Sequence, residues 1–261
     1  MTRIILRGCN GKMGQAITQL LQVKKTDENE TNISRRAKIV AGIDVSDEGL
    51  NDYPVFSSYN DCDVEADVII DFSSPNGIEE EFEYAKANNV PIVLCTTGLS
   101  DEQDQMVKDL SKEIAILQAA NMSIGVNMLI KIVKLVSKAL VDSGFDIEIV
   151  DKHHNQKVDA PSGTALALAN VIKDSLDDDY HYVYDRSDKR EKRDSKEIGI
   201  SAIRAGTIVG EHDVIFAGTD EVIELSHTAY SRNVFAKGSI QAALFLPDKI
   251  PGLYDMEDVL K

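Results

Sequence analysis

Positive charge is in short supply. Only 28 lysines and arginines stand against 44 aspartates and glutamates, a formal net charge of −16 at pH 7. A field of that sign repels nucleic acid and anionic membrane, so neither is expected as a partner. Cysteine is scarcer still: Cys9, Cys62 and Cys95 show no metal-ligand spacing and cannot all pair, which fits a reducing compartment and no disulfide framework. No apolar run reaches the roughly eighteen residues of a membrane span. The amino terminus reads as a strand and not as a basic-then-apolar leader, so no signal peptide is expected and the expected location is cytoplasmic. Internal repeats and low-complexity tracts are also missing. What is present is the composition of a globular protein, 43% hydrophobic and 28% charged over 261 residues, enough for two compact domains with a real core.

The stretch His153-His154-Asn155-Gln156-Lys157-Val158-Asp159-Ala160-Pro161-Ser162-Gly163-Thr164 concentrates two imidazoles, an ammonium and a helix start. Residues 145–150 read as a strand and 165–176 as a helix, which sets the motif on a strand-to-helix loop. Pro161 stiffens the approach, Ser162 can cap the helix, and Gly163 lets backbone N–H groups approach an anion, so a carboxylate or phosphate fits there. Lys157 adds a positive point charge. Histidine titrates near neutrality, so His153 or His154 is the natural general acid. The bland alternatives are a surface His-His pair and a plain helix cap, but their joint occurrence with lysine favours function. Metal ligation is disfavoured, because adjacent histidines seldom face one ion and no third ligand is expected nearby.

The chain opens with a second motif. A short apolar strand, 3–7, leads into Gly8-Cys9-Asn10-Gly11-Lys12-Met13-Gly14 and then a helical spacing over 15–23. Gly8 permits the tight turn, Gly11 lets the backbone approach a pyrophosphate, and Gly14 lets the helix pack on the strand. The next strand, 38–43, ends in Asp44, which can accept hydrogen bonds from an adenosine ribose or simply be a turn residue. A polar insert over 26–36 explains its long separation from Gly8.

Strand and helix then alternate: strands at 53–56, 67–72, 91–94 and 114–118, helices at about 75–88 and 101–110. This alternation predicts a doubly wound parallel sheet with ligands outside the carboxyl ends of its strands. Three loops leave those ends: Asp71-Phe72-Ser73-Ser74-Pro75, Cys95-Thr96-Thr97-Gly98 and Ala119-Ala120-Asn121-Met122-Ser123. Their small and hydroxyl residues suit a nicotinamide and its ribose, and Phe72, Cys95, Thr96, Thr97, Ala119, Ala120, Asn121 and Met122 are the candidate contacts. Apolar residues nearly encircle a helix at 124–143, read as a buried connector. Strands at 145–150, 196–204, 207–217 and 221–229 predict an α+β second domain of hairpin-like neighbours, with 177–196 as a solvated loop. The tail returns to helix over 235–246 and finishes in turns. The expected domains are 1–125, dinucleotide-binding, and 126–234, substrate-binding and oligomer-forming, with 235–261 free to pack on the first.

Taken together, these motifs resemble the dihydrodipicolinate reductase family, now called 4-hydroxy-tetrahydrodipicolinate reductase, over almost the whole chain. The likeness rests on the glycine loop, Asp71-Phe72-Ser73, Thr96-Thr97-Gly98, Asn121-Met122-Ser123-x-Gly125-Val126-Asn127, the histidine motif, Arg204-Ala205-Gly206-x-x-x-Gly210-x-His212 and Phe235-Ala236-x-Gly238. The resemblance implies an amino-terminal Rossmann domain, a homotetramer built through the second domain's sheet, and reduction of a cyclic dicarboxylic imine by NADH or NADPH in lysine and diaminopimelate biosynthesis. It further implies His153 as acid/base, Lys157 as proton donor, and His154, Gly163 and Thr164 as substrate contacts, with Ser162 at the helix start that takes one carboxylate. Cofactor contacts would come from Gly8, Cys9, Asn10, Gly11, Lys12, Met13 and Asp44 besides the three strand-end loops. Two departures bear on the cofactor: Cys95 stands where many relatives have glycine, and Val45 follows Asp44 where some have an arginine that would welcome a 2′-phosphate. NADH is therefore expected to serve at least as well as NADPH. A dehydrogenase for amino or sugar substrates would share the glycine loop but has no reason to carry the histidine motif. A non-catalytic redox sensor would want a basic nucleic-acid-binding surface, which the acidic charge argues against.

Overall fold

The protein is described here from a computed structural model covering residues 1–22, 35–177, 179–187 and 189–261. The polar insert expected at 26–36 lies, apart from Arg35 and Arg36, outside the described residues. Two compact units emerge, Met1–Ile124 with Arg232–Lys261, and Gly125–Ser231.

In the first unit β1 (Thr2–Arg7), α1 (Lys12–Leu21), β2 (Ala37–Ile43), β3 (Val55–Phe56), β4 (Val68–Asp71), α2 (Ile78–Asn88), β5 (Ile92–Leu94), α3 (Asp101–Leu110) and β6 (Ala115–Gln118) follow in turn. Strand β4 is Val-Ile-Ile-Asp, buried throughout, as a strand covered on both faces requires. Helix α3 starts with a reciprocal capping box between Ser100 and Gln103. The chain then leaves for the second unit: α4 (Ile124–Asp142), β7 (Asp146–His153), α5 (Gly163–Asp174), β8 (His181–Val183), β9 (Glu197–Arg204), β10 (Gly210–Ala217) and β11 (Val222–Ala229). It returns with α6 (Asn233–Phe245), β12 (Gly252–Tyr254) and α7 (Met256–Val259).

The first sheet runs β12-β6-β5-β4-β1-β2-β3, and every recorded pairing in it is parallel. The order reverses between β1 and β4, the place where such sheets bind ligands. Ala236, Ile240, Ala243 and Met256 of the returning segment share a core with Ile4, Val68 and Leu117. The tail read as turns adds the edge strand β12, which pairs with β6. Three residues are too few to show a period of two, so the pattern was invisible.

The second sheet is mixed, in the order β11-β10-β7-β9-β8. Only β10 and β11 form the expected hairpin; β7 sits in the centre, parallel to β9 and antiparallel to β10. Three expectations need correction here. The solvated loop at 177–196 contains β8, with Tyr180 and Val183 buried; its run Tyr180-His181-Tyr182-Val183-Tyr184 is aromatic and β-branched, a strand signal masked by flanking charge. Helix α4 is not buried on all sides: Val126, Leu129 and Val133 are buried, whereas Met128, Ile132 and Leu135 are exposed. Apolar composition around a helix does not say which stripes find a partner within the chain. Strand β7 also runs on to His153, three residues past the expected end, because β9 and β10 pair along it.

Candidate active site

At the carboxyl end of β1 the chain turns at Gly8, whose φ of +76° suits glycine and where a Cβ would lie 2.6 Å from the Phe72 carbonyl oxygen. At Gly14 a Cβ would lie 2.3 Å from the Gly8 carbonyl oxygen, so a side chain there would force the turn off the helix. Gly11 is the N-cap of α1; it offers no side-chain cap, and no acid stands in the helix's first turn. Its N–H groups therefore stay available to an anion, as a pyrophosphate requires. Asp44 follows β2 and accepts the Asn10 N–H at 2.8 Å through Oδ2 and the Val45 N–H at 2.8 Å through Oδ1. This fixes its carboxylate beside the glycine loop, while Lys12 is exposed. The residues at these strand ends fit a dinucleotide.

The expected cofactor contacts divide into two sets. Thr97 and Ala120 are exposed, and Gly8, Asn10, Phe72, Ala119 and Asn121 are half-buried. Cys9, Cys95 and Met122 are buried in the core, as Met13 partly is, so their side chains pack. Burial pushes the Cys9 thiol up to about 12, with Asp44 adding to it, and pushes Cys95 well above its ordinary value; neither is a reactive thiolate. Thr96 is also buried, donating to Asp71 Oδ2 at 2.7 Å. Asp71 further accepts from Ser73 N at 2.9 Å and Arg7 Nη1 at 3.0 Å. Sequence reading singled out Asp71 only as part of a loop. The buried carboxylate in fact ties the loops after β4 and β5 together.

The histidine motif straddles a strand end and a helix start. Strand alternation puts Asp151 and His153 on the same face of β7, and register brings His212 of β10 opposite Asp151 and Arg204 of β9 opposite His153. Asp151 is fully buried; its Oδ1 lies 2.6 Å from His153 Nδ1 and 3.7 Å from His212 Nε2. Its Oδ2 accepts from Ser162 N at 2.7 Å and Arg204 Nη2 at 3.1 Å. Ser162 Oγ caps α5 by accepting from Ala165 N at 3.2 Å and lies 3.0 Å from His212 Nε2. Arg204 Nη2 donates as well to the Asp159 carbonyl at 2.6 Å, which anchors the loop. Lys157 Nζ is 2.8 Å from Asp159 Oδ1, an exposed carboxylate. Gly163 has open space where a side chain would be. His154 is half-buried and Thr164 lies in the first turn of α5.

Burial works against the Asp151 charge, but Ser162 N–H, Arg204 and His153 outweigh it and hold the carboxyl below its usual range. Burial lowers His153, with Lys157 and Arg204 adding to the fall and Asp151 opposing it. It drives His212 down to about 4, so that ring is neutral near pH 7. The expectation that no third ligand-type group lies near the histidines is overturned. Atoms of Asp151, His153 and His212 that could ligate lie within 4.8 Å of one another, because β10 brings in a residue 59 positions away from His153. His154 is not in this group, and the Arg204 guanidinium already neutralises Asp151, which disfavours a cation. Sequence reading missed Asp151, for which the alternation of β7 beyond Val150 was the available signal, and named Arg204 and His212 only within a motif, without a role in the site.

A glycine-turn α/β sheet of this strand order, joined to a second unit with a buried His-Asp-Arg cluster, is the architecture of a two-domain oxidoreductase. Comparison with known proteins narrows the class. The family models for the dihydrodipicolinate reductase amino terminus and carboxyl terminus match residues 2–122 and 125–260. The 4-hydroxy-tetrahydrodipicolinate reductase of Clostridium novyi (strain NT) is 50% identical over 262 residues, covering 100% of this chain and 99% of the relative. That of Caldanaerobacter subterraneus subsp. tengcongensis is also 50% identical, covering 100% and 99%. A dipicolinate-bound dihydrodipicolinate reductase from Paenisporosarcina sp. TG-14 superposes with a TM-score of 0.74 at 27% identity, covering 98% of this chain and 97% of that one. The chain belongs to the dihydrodipicolinate reductase family.

Proposed function

We propose that the protein reduces 4-hydroxy-tetrahydrodipicolinate to tetrahydrodipicolinate with NADH or NADPH, and that His153 and Lys157 handle the protons. The observation that carries this reading is the meeting of His153, at the end of β7, with the Ser162-capped start of α5 across one buried carboxylate. When bound, nicotinamide would supply the hydride for C4. The water eliminated beforehand takes the 4-hydroxyl together with a hydrogen from C3, so C3 must receive a proton back as the hydride adds to the conjugated imine. His153 acts as acid/base, and Lys157 donates a proton to C3. Ser162 is buried and its N–H and hydroxyl are already engaged, so it serves as the cap of α5. Gly163 and Thr164 at the start of that helix take one substrate carboxylate, and His154 with Lys157 takes the other. Lys157 can leave Asp159 cheaply, since an ion pair with an exposed carboxylate is worth only about 0–1 kcal/mol.

A planar 2,6-dicarboxylate presents both carboxylates at once, and a relative is known with dipicolinate bound. Pyridine-2,6-dicarboxylate is therefore expected to inhibit competitively with the imine. If it neither inhibits nor raises the melting temperature in the presence of NADH, the substrate site is misplaced.

For the cofactor, Asp44 beside the glycine loop would accept from a free 2′-hydroxyl and repel a 2′-phosphate, while exposed Val45 offers no compensating charge. NADH is expected to serve at least as well as NADPH, with Lys12→Ala lowering the NADPH specificity constant more than that for NADH. A tenfold or larger wild-type preference for NADPH would overturn this assignment.

A homotetramer is the assembly that the resemblance favours. The sheet of the second unit ends in two edge strands, β11 and β8, and leaves Ile203 and Val222 exposed on its face away from α5. Light scattering is expected to give four chains per particle; a stable monomer at micromolar concentration contradicts it.

A further inference from the structure

Asp151 has a second consequence, which rests on the reading of His153 as acid/base. An ionised carboxylate can only accept hydrogen bonds. Asp151 Oδ2 is taken by Ser162 N–H and Arg204, and Oδ1 faces His153 Nδ1 at 2.6 Å. Two atoms bearing lone pairs cannot rest 2.6 Å apart without a proton between them, so the contact calls for a proton on Nδ1 even though neither atom makes an aligned hydrogen bond here. Nε2 of the neutral ring is left as the nitrogen with a free lone pair. On that other side stands Gly210, the first residue of β10, where a Cβ would lie 3.1 Å from His153 Nε2. Any side chain at 210 would crowd the working nitrogen. We propose that Asp151 behind the ring and Gly210 in front of it are positioning elements for the reduction, fixing His153 in its Nδ1–H tautomer and keeping Nε2 open to the substrate.

The two elements are independent in the fold but converge on one ring. Asp151 is anchored by groups from three places, the backbone of Ser162, the guanidinium of Arg204 on β9 and its own strand, so its carboxylate cannot turn away without unpairing Arg204. The charged and titratable groups that face the imidazole are Asp151 on β7, Arg204 on β9, His212 on β10 and Lys157 in the loop. His227 and Asp213 act on His212 in turn. Of the charges acting on His153, Lys157 and Arg204 disfavour its protonation and Asp151 favours it. Removing the Asp151 charge must shift His153 to lower pKa. A general acid works in its protonated form, so the alkaline fall of kcat moves to lower pH.

The test uses the full-length enzyme and steady-state kinetics from about pH 4.5 to 8, a range that brackets a histidine held below its ordinary value of 6.5. Asp151→Asn is expected to move the alkaline limb of kcat down by about one unit, and so to lower kcat about tenfold above that limb with KM changed little. In a His153→Ala background the same substitution is expected to cost less than about twofold. Gly210→Ala is expected to lower kcat at least about tenfold while Asp151 is intact, and it carries the test if Asp151→Asn does not fold. A folded Asp151→Asn enzyme with the wild-type pH profile, a full additional loss in the His153→Ala background, or wild-type kcat in Gly210→Ala would each overturn the proposal. A merely structural Asp151 would lower the melting temperature without moving the limb. Near-wild-type activity of His153→Ala would instead refute the reading of His153 on which the proposal rests.

Discussion

Replacing His153 by alanine, or Lys157 by alanine, is expected to lower the turnover number by about a hundredfold or more. A positioned general acid contributes about 10²–10⁴-fold, and a lost preorganised charge about 10²–10³-fold. The structure gives the two losses different characters. His153 is held from behind by Asp151 and is only 12% exposed, so its deletion removes a group that costs the enzyme little to position at reaction. Lys157 is paired with a solvent-facing carboxylate and must change partner to reach substrate. His154, outside the Asp151 cluster, is expected to act mainly through binding: His154→Ala raises the Michaelis constant more than it lowers kcat. Rapid-quench or steady-state measurements on the three variants separate these outcomes. Near-wild-type turnover in both His153→Ala and Lys157→Ala would rule out the assigned chemistry.

The second large effect belongs to the first unit. Arg7 at the end of β1 is buried with two carboxylates that have no solvent exposure; its Nη1 lies 3.0 Å from Asp71 Oδ2 and 2.8 Å from Glu81 Oε2. Its Nη2 donates to the Asn76 carbonyl at 2.6 Å. Burial, and then Asp71, push Glu81 well above the usual carboxylate range, which favours its protonated form. Arg7→Met leaves Asp71 buried without its cation, and breaking a buried pair in this way costs about 3–5 kcal/mol. Urea unfolding of the variant is expected to show that loss, and cofactor binding weakens with it, since Asp71 also holds Ser73 and Thr96 in the loops after β4 and β5. Glu81→Gln, which replaces a protonated acid by a neutral amide, is expected to cost far less than Arg7→Met. Equal losses in the two variants would mean that Glu81 is charged and the network is wrongly described. A loss below about 1 kcal/mol in Arg7→Met would mean that water reaches Asp71.

How far the sequence reveals such features depends on whether they are local. The glycine loop, the helix after it, Asp44 at the end of β2 and the Ser162 cap are each set by a few neighbouring residues. Their spacing carries them, and the structure has α1 beginning at Lys12 and α5 at Gly163. The Asp151 cluster is different in kind. Asp151, Arg204 and His212 meet because β7 lies between β9 and β10, an order that hairpin-like reading of consecutive strands does not produce. Only the period of two along β7, carried past Val150, hinted that Asp151 and His153 share a face. Helix α4 shows the converse limit. Its apolar residues look alike in sequence, yet Val133 is fully buried and Leu135 is 81% exposed, because one stripe meets the second-unit core and the other finds no partner among the described residues. Strands β8 and β12 are three residues each and owe their existence to the neighbours they pair with, β9 and β6.

The central claim is the reaction itself, and a coupled assay tests it most directly. Purified dihydrodipicolinate synthase, pyruvate and aspartate semialdehyde generate the unstable imine in place, and loss of nicotinamide absorbance reports its reduction. The account predicts oxidation of NADH that requires this protein and both synthase substrates, that pyridine-2,6-dicarboxylate suppresses, and that His153→Ala nearly abolishes. Nicotinamide absorbance that stays constant with both NADH and NADPH, while a dihydrodipicolinate reductase of known activity consumes the same imine, would contradict it.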